Sequence, residues 1–302
     1  MGSIVQVTSL EGSNHPPAED IGVASPGMVV CAALDGECLA DDRAPAREFR
    51  AAVAALERTG VPVVTWSTHT RAEIEMARQE MGIHAPFISE NGAALFVPAG
   101  YFPFVVEATR RVAGYDVVEF GMSYEQLATT LRRVARAIRL DLVTLADMTI
   151  EEVAADFGLG LLAARLAKLR EYGELFRVID ERPASRGRLF RALRAAGLTC
   201  FHGDRYDLVT GVSDRAAALQ TVHRLMQRAR GRVVRIGIGS RAEDLPVLAQ
   251  ADIRILIRQA DPSITAHLVA RMPAMHMIDE PGVAGWLEGI TRVMSSVSRG
   301  RR

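Results

Sequence analysis

The sequence has few cysteines, no excess of either charge and no long hydrophobic run. Its three cysteines, Cys31, Cys38 and Cys200, have no metal-ligand spacing, and a sparse, odd set is typical of a reducing cytosol. Basic and acidic residues balance at 36 each, which argues against a nucleic-acid partner. No apolar run approaches the roughly 18 to 20 residues of a membrane span. We therefore predict a cytoplasmic protein without a nucleic-acid or membrane partner.

The two ends of the chain differ in composition from its middle. Residues 1–27 lack the basic start and apolar core of a secretory signal, and their prolines and small polar residues predict a flexible extension. Residues 293–302 form a basic C-terminal tail, and its last five residues, 298–302, are predicted to be disordered. The length of 302 residues allows one large or two medium domains with buried cores.

Strand-like and helix-like stretches alternate after the N-terminal extension. The strand-like stretches are residues 29–34, 61–66, 87–88 and 93–97, and the helix-like ones are residues 46–59 and 70–81. Asn91-Gly92 is a strong hairpin signal between the last two strands. The repeated β-α-β unit predicts an α/β fold with a doubly wound parallel sheet. Ligands of such sheets bind at the C-terminal ends of the strands, where Ala33 and Ser67 lie.

The middle of the chain changes character. It contains helix-like residues 124–140, 150–157, 161–172 and 186–196 and short strand-like residues 176–179 and 206–209. The first pattern resumes with helices at 214–229 and 243–249 and strands at 233–238 and 253–257. We therefore predict a core formed by residues 28–105 and 211–292, with an α+β cap domain inserted at residues 106–210.

The corner after the first strand has an unusual composition. It reads Ala33-Leu34-Asp35-Gly36-Glu37, so that a buried strand ends in an Asp-Gly turn. A carboxylate at such a corner can attack phosphorus and form an acyl-phosphate. The methyl group of Ala33 cannot.

Several segments resemble one family in order and spacing. These are Ser67-Thr68-His69-Thr70-Arg71-Ala72-Glu73, Glu90-Asn91-Gly92-Ala93-Ala94, Asp147-Met148-Thr149 with Glu151-Glu152, Gly158-Leu159, Arg170-Glu171-Tyr172-Gly173-Glu174, Gly203-Asp204-Arg205-Tyr206 and Asp244-Leu245-Pro246-Val247-Leu248. Over residues 28–292 the chain resembles the mannosyl-3-phosphoglycerate phosphatases, a branch of the haloacid dehalogenase superfamily with a type IIB cap. The resemblance implies a haloacid-dehalogenase-like core that carries the inserted cap.

The resemblance also implies roles for individual positions. The family motif Asp-x-Asp-Gly-Thr places its nucleophile at Ala33 and its general acid at Asp35. Ser67 takes the position that binds the transferring phosphoryl group, and Asn91 lies in a motif that we predict to bind substrate. Arg215 replaces the family lysine, and its planar guanidinium is not equivalent to a compact ammonium group.

The resemblance implies a magnesium site that has lost ligands. Such a site uses the nucleophilic carboxylate, the carbonyl of the residue at Asp35 and acidic groups of a later loop. In that loop Ser240 replaces an aspartate and Glu243 an asparagine, while Asp244 remains. Magnesium prefers carboxylate oxygens, so we predict a weakened site at Asp35 and Asp244.

The replacements leave two possibilities for the bound ion. Glu37 and Glu243 are new carboxylates near the site, so relocated magnesium coordination is one of them. Arg215 and Arg241 make the pocket more cationic, which favours a phosphate over a metal. The cofactor is therefore Mg²⁺ if the protein is active, and otherwise none.

Other candidate residues have a structural alternative beside the functional one. Ser67 is either a phosphate ligand or the cap of the following helix. His69 replaces a family lysine and is a surface or cap-facing residue rather than a base. Arg170, Glu171 and Glu174 either bind substrate or form an ordinary solvated helix face.

Arg205 has two possible roles as well. It either binds the glycerate end of a substrate or pairs with Asp204 or Asp207.

Three functions remain open from the sequence. The first is a pseudophosphatase that still binds a small phosphorylated sugar or glycerate, or serves a protein partner. The second is a working mannosyl- or glucosyl-3-phosphoglycerate phosphatase with displaced carboxylates. The third is a scaffold protein whose pocket binds nothing.

Overall fold

A large sheet forms the centre of the molecule. The computed structural model describes residues 27–34, 44–179, 182–203, 205–213, 215–259, 269–272 and 275–299. Within these residues the large sheet contains β1 (Gly27–Ala33), β2 (Val63–Trp66), β3 (Phe87–Ser89), β4 (Ala94–Pro98), β5 (Arg110–Val112), β6 (Tyr115–Glu119), β11 (Val233–Gly239), β12 (Ile253–Ile257) and β13 (His276–Ile278). Their order is β13-β12-β11-β1-β2-β3-β4-β6-β5.

The sheet is parallel from β13 to β3 and antiparallel beyond β3. The helices of this part are α1 (Ala44–Arg58), α2 (Arg71–Met81), α7 (Arg215–Arg230), α8 (Leu245–Ala249) and α9 (Gly282–Arg299). Helix α1 packs between α2 and α9, and α7 packs on α8. Right-handed crossovers that run in opposite directions from β1 place these two groups on opposite faces. The predicted doubly wound sheet is confirmed.

A second, smaller sheet forms the cap. Its strands are β7 (Leu142–Thr144), β8 (Gly173–Val178), β9 (Thr199–Phe201) and β10 (Asp207–Thr210), in the antiparallel order β7-β8-β10-β9. Its helices are α3 (Tyr124–Ala137), α4 (Ile150–Phe157), α5 (Leu161–Ala167) and α6 (Pro183–Ala195). Leu131, Phe176 and Leu189 belong to a hydrophobic cluster separate from that of the large sheet. The inserted part thus buries a core of its own.

The structure differs from the predicted boundary between core and cap. The prediction placed residues 106–119 in the cap, but β5 and β6 extend the large sheet through the pairing of β6 with β4. Val117 of β6 is buried among Phe87 and Phe96 of the large sheet. Apolar contacts across the β4–β6 pair therefore fix these strands to the core, and the second sheet begins after them.

The C-terminal prediction needs a correction. Residues 293–302 were expected to form a basic tail outside the core, but helix α9 continues to Arg299. Trp286, Ile290 and Val293 are all buried at helical spacing, and Trp286 makes an edge-to-face contact with Phe49 of α1 at 5.7 Å. This apolar stripe explains the longer helix. The predicted N-terminal extension lies outside the described residues, apart from Gly27 in β1.

Helix α5 is shorter than the sequence pattern indicated. The predicted helix ran to residue 172, but α5 ends at Ala167. Lys168 follows it, and its Nζ donates to the carbonyl oxygens of Leu145, at 2.7 Å, and of Met148. These bonds turn the chain toward β8. None of the described helices is long and apolar enough to cross a membrane.

Candidate active site

Ala33 lies at the C-terminal end of β1, as predicted. It pairs in register with Trp66 of β2, and the next amide, that of Leu34, donates to the carbonyl of Trp66 at 2.8 Å. The buried Ala33 methyl group therefore occupies the end of the central strand. Asp35 and Glu37, the predicted acid and its neighbour, lie outside the described residues.

Ser67 directly follows β2 and is fully buried. Its amide donates to the carbonyl of Ile88 at 3.0 Å, and its Oγ accepts from the amide of His69 at 3.1 Å. The cap of α2 is Thr70, which forms a capping box with Glu73. The alternative role of Ser67 as a helix cap is therefore wrong.

His69 has the structural role that the sequence suggested. Its side chain is partly exposed, and its Nδ1 lies 3.0 Å from Glu73 Oε1. Burial opposes ionisation of Glu73, but the hydrogen bonds and charge of His69 and the bonds to Thr70 outweigh it and lower its pKa.

Three residues in the left-handed region form the corner between β3 and β4. Glu90, Asn91 and Gly92 have φ angles of 43°, 64° and 88°. The Asn91 amide donates to the carbonyl of Ser67 at 3.1 Å. A Cβ atom on Gly92 would lie 2.6 Å from the Cα of Arg215, so only glycine fits between this corner and α7.

Arg215 begins α7 and reaches this corner. Its Nε donates to the backbone carbonyl of Asn91 at 3.3 Å, and its Nη2 donates to Asn91 Oδ1. Its guanidinium carbon lies 5.2 Å from the ring centre of Trp66. The structure thus brings the predicted phosphate-binding Arg215 together with Asn91, beside the strand that precedes Ser67.

A cleft of about 430 Å³ opens beside Asn91 and Arg215. Its walls also include Ser213, Ala216, Phe201, Ala242 and Pro246. Phe201 belongs to β9 of the cap, and sequence reasoning missed it because a lone phenylalanine in a short strand gives no signal. A larger depression of about 660 Å³ is lined by residues of 99–105 and 111–116 and contains none of the predicted site residues.

Asp244 lies at the end of the loop that follows β11, residues 240–244. Its buried Oδ2 accepts from the backbone amides of Ser240, at 2.5 Å, and Arg241, at 2.8 Å. A Cβ atom on Gly239 would lie 2.6 Å from the Asp244 Cβ, so the loop packs closely on this side chain. The carboxylate therefore holds the backbone of residues 239–241 in place.

The described part of the chain contains no group of three or more histidine, cysteine or acidic side chains that could hold a metal. The side chain of Glu243 and all of Asp35 lie outside it. Of the metal-ligand positions that can be judged, Ala33 and Ser240 carry no carboxylate and Asp244 binds backbone amides. Two carboxylates of the family magnesium motif are therefore replaced, and carboxylate oxygens are the ligands that magnesium prefers.

The predicted substrate residues Arg170 and Glu171 lie in the loop before β8, not on a helix, so the helix-face alternative is wrong for them. Arg170 Nη2 donates to the carbonyl of Thr68 at 3.1 Å. The Glu171 carboxylate accepts from Arg71 Nε at 2.7 Å and from Arg110 Nη2. Both cap residues thus contact the core.

Glu174 lies in β8, which also excludes a helix face, and it is almost fully buried. It accepts a hydrogen bond from the Tyr124 hydroxyl. Burial raises the pKa of its carboxyl group, although the Tyr124 bond and Arg170 oppose this. Its position lies inside the cap near Arg170.

Arg205 pairs with neither of the expected partners among the described residues. Its Nη2 lies 3.1 Å from Asp156 Oδ1, and its Nη1 donates to the Asp156 carbonyl at 2.8 Å. Asp207 is instead bonded to Arg186, whose Nε donates to it at 2.7 Å. The expected pairing with Asp207 is therefore wrong, and Asp204 lies outside the described residues.

Two curated proteins are similar to most of the chain. The glucosyl-3-phosphoglycerate/mannosyl-3-phosphoglycerate phosphatase of Methanococcoides burtonii is 30% identical over 257 residues, which cover 85% of this chain and 93% of that protein. The protein of the same name from Persephonella marina is 30% identical over 278 residues, which cover 90% and 99%. No protein-family model matches the chain.

Solved structures show the same fold. A haloacid dehalogenase-like hydrolase from Bacteroides thetaiotaomicron has a TM-score of 0.62 at 13% identity and covers 88% of this chain and 99% of its own. The HAD subclass IIB sugar phosphatase BT4131 has a TM-score of 0.55 at 12% identity and covers 90% and 99%. The predicted fold, a haloacid-dehalogenase-like core with a cap, is confirmed. Because both curated relatives match over nearly their whole length, the chain belongs to the glucosyl-3-phosphoglycerate/mannosyl-3-phosphoglycerate phosphatase family.

Proposed function

We propose that the protein binds a small phosphorylated sugar or glycerate in the cleft between core and cap without hydrolysing it. The chemical class of the ligand comes from the relatives, whose names describe phosphatases of sugar phosphoglycerates. The absence of turnover comes from the residues at the strand ends. The protein is then a pseudophosphatase, and we place it in the cytoplasm.

The main support for this proposal is that the side chain of Ala33, at the C-terminal end of β1, is only a methyl group. In-line attack on a phosphoryl group needs a nucleophile at the end of the central strand, and a methyl group has no lone pair. Ser67 is buried beside this strand end and could stabilise a phosphoryl group, but stabilisation alone forms no covalent bond.

The later loop supports the same conclusion. Ser240 lacks the charge of the aspartate in the family motif, and Asp244 is engaged by two backbone amides. Without a cluster of anionic oxygens, magnesium binds poorly at this edge of the sheet. We therefore expect ligand binding that does not require a metal.

Arg215 supports the retention of phosphate binding. Its guanidinium lies on the wall of the cleft and is held between Asn91 and Trp66. A guanidinium held in place forms strong, charge-assisted hydrogen bonds with phosphate oxygens. Loss of nearby carboxylates also removes repulsion against an anionic ligand.

The experiment has two arms with the full chain. Phosphate release from mannosyl-3-phosphoglycerate, glucosyl-3-phosphoglycerate and 3-phosphoglycerate is measured with and without magnesium, against a mock preparation. Calorimetry with the same compounds, in the presence of a chelator, measures binding at ligand concentrations up to about 1 mM. We expect binding without turnover, and Arg215→Ala should weaken the binding.

Either arm can overturn the proposal. Turnover above the mock preparation that Asp35→Asn abolishes would favour a working phosphatase with displaced carboxylates. Absence of binding at the highest ligand concentration would favour the scaffold protein. Arg258→Ala is a matched control, because Arg258 pairs with Asp279 on the surface and is not part of the cleft.

A further inference from the structure

We propose that Glu90 is a positioning residue that couples the cap to the ligand-binding side of the cleft. This inference rests on the proposed function, because it concerns regulation of the same cleft. Glu90 itself does not line the cleft. It acts through its backbone neighbour Asn91 on one side and through the cap loop before β8 on the other.

The side chain of Glu90 binds the cap. Its carboxylate is fully buried and accepts from two consecutive backbone amides of the cap, Glu171 at 2.7 Å and Tyr172 at 3.1 Å. Its Oε2 also lies 3.5 Å from Arg170 Nε. These contacts tie the buried carboxyl group of Glu90 to the cap loop, because a buried polar group without hydrogen-bond partners is costly.

The backbone of Glu90 continues directly into the ligand-binding side. The next residue, Asn91, donates to the Ser67 carbonyl and accepts two hydrogen bonds from Arg215. Glu90 and Asn91 are thus adjacent in the chain, but one binds the cap and the other binds Arg215. Their partners Glu171 and Arg215 each lie more than 80 positions further along the chain.

The conformation of the corner makes this coupling sensitive. Glu90 and Asn91 both have positive φ angles, which residues with side chains adopt only when surrounding contacts hold them. The cap amides hold Glu90, and Arg215 and Ser67 hold Asn91. Release of either set of contacts removes part of what maintains the corner, so cap docking and ligand binding should strengthen each other reciprocally.

The main test variant is Glu90→Gln. Glutamine fills the same space, but its amide nitrogen would face one of the two donor amides of the cap loop. We expect hydrogen exchange of the ligand-free protein to increase in residues 170–174 and also in residues 213–217. We further expect affinity for 3-phosphoglycerate to fall by about tenfold, a typical size for coupling between sites.

Two further variants separate coupling from a loss of folding. Gly173→Ala places a Cβ 3.3 Å from Glu90 Oε2 and disturbs the same bonds from the cap side, without changing the corner. It should give the same pattern of exchange with a smaller loss of affinity. Glu75→Gln is the matched control, since Glu75 pairs with Arg71 near the cap but does not contact the corner.

The outcomes are distinguishable. Faster exchange confined to residues 170–174, with unchanged exchange at residues 213–217, would contradict the coupling and leave Glu90 with a purely structural role. If the parent protein binds no phosphoglycerate, the proposed function fails, while the exchange experiment on the ligand-free protein still decides the coupling. An equal effect of Glu75→Gln would also overturn the inference.

Discussion

The strand ends of the core and the junction between core and cap differ in what they retain of the family motifs. At the strand ends, Ala33 and Ser240 replace carboxylates, and Asp244 is bound to its own loop. At the junction, Glu90 and Glu171 match the motifs and have charged or backbone partners on the opposite side. The protein has thus kept contacts between core and cap, while two carboxylates of the family motifs are replaced at the strand ends.

The difference between the strand ends and the junction bears on the choice among a scaffold, a catalyst and a binding protein. A scaffold that binds nothing needs a folded core, but it has no need for a cap placed by a buried carboxylate over a cationic cleft. A catalyst needs both the cap and the nucleophile. The proposed binding without turnover needs only the cap and the cation.

The largest expected effect would break the comparison by restoring chemistry at the strand ends. Ala33→Asp alone should do little, because it leaves the metal loop without the carboxylate lost at Ser240. Combined with Arg215→Lys, Ser240→Asp and Glu243→Asn, it should raise magnesium-dependent phosphate release at least about 100-fold over the parent, and non-additively, since these groups act as one unit. The assay is phosphate release from a panel of sugar phosphates with and without magnesium.

The control for the quadruple variant carries Arg215→Lys, Ser240→Asp and Glu243→Asn but retains Ala33. This triple variant should bind magnesium better than the parent but should release no phosphate. A correctly folded quadruple variant that stays inactive across the panel would show that the departures extend beyond the core. The assignment of the cap to substrate recognition would then be wrong.

The second prediction concerns the corner that the two regions share. Gly92→Ala puts a Cβ 2.6 Å from the Arg215 backbone at a φ of 88°. Both the clash and the strained backbone oppose folding, so we expect a loss of about 3–5 kcal/mol in the free energy of unfolding. Urea denaturation measures it. Gly100→Ala is the control, because its φ of 76° gives similar strain but no atom lies within 4 Å of the added Cβ; an equal loss there would deny any role to close packing at the corner.

Local features of the fold could be predicted from the sequence. The hairpin signal Asn91-Gly92 depends only on residues that are neighbours in the chain, and β3 and β4 pair as an antiparallel hairpin around it, as expected. The positions of Ala33 and Ser67 followed from the rule that parallel strands end at one edge. Family motifs then supplied Arg215 and Asn91.

Contacts between distant segments could not be predicted in this way. Nothing near Glu90 indicates that its carboxylate binds amides more than 80 residues later. Lys168, which follows α5, donates to the carbonyl of Leu145, and Arg205, in the loop before β10, pairs with Asp156 of α4. These hydrogen bonds depend on how helices and strands distant in the chain pack against each other, and the spacing of apolar residues within one helix does not determine that packing.

The third prediction compares one residue from each region. Glu171→Ala removes a carboxylate that bridges Arg71 and Arg110, which are 22% and 34% exposed, so solvent screening limits the loss to about 1–2 kcal/mol. Ser240→Ala should change stability by less than about 0.5 kcal/mol, because the bond of this residue to Asp244 uses its backbone amide. Thermal unfolding of the two variants side by side measures the contrast. A larger loss for Ser240→Ala would mean that its hydroxyl has a role that the loop geometry does not reveal.

The smallest effect concerns the charge of Glu174 and depends on pH. Burial raises the pKa of this carboxyl group above its usual 4.5, so the folded state disfavours the ionised form relative to the unfolded state. The stabilisation that follows from protonation of Glu174 is complete below the unfolded pKa and is lost as the pH rises through the folded pKa.

Glu174→Gln can still accept the Tyr124 hydrogen bond but carries no charge. Its free energy of unfolding relative to the parent should therefore increase as the pH rises from about 4 to neutral. Urea denaturation at several pH values measures this difference, and Glu152→Gln on the exposed surface of the cap serves as the control. An increase would mean that the cap keeps a carboxylate that costs stability at neutral pH, which fits a role in ligand binding. A difference that does not change with pH, or that falls, would make Glu174 an ordinary structural residue of the cap.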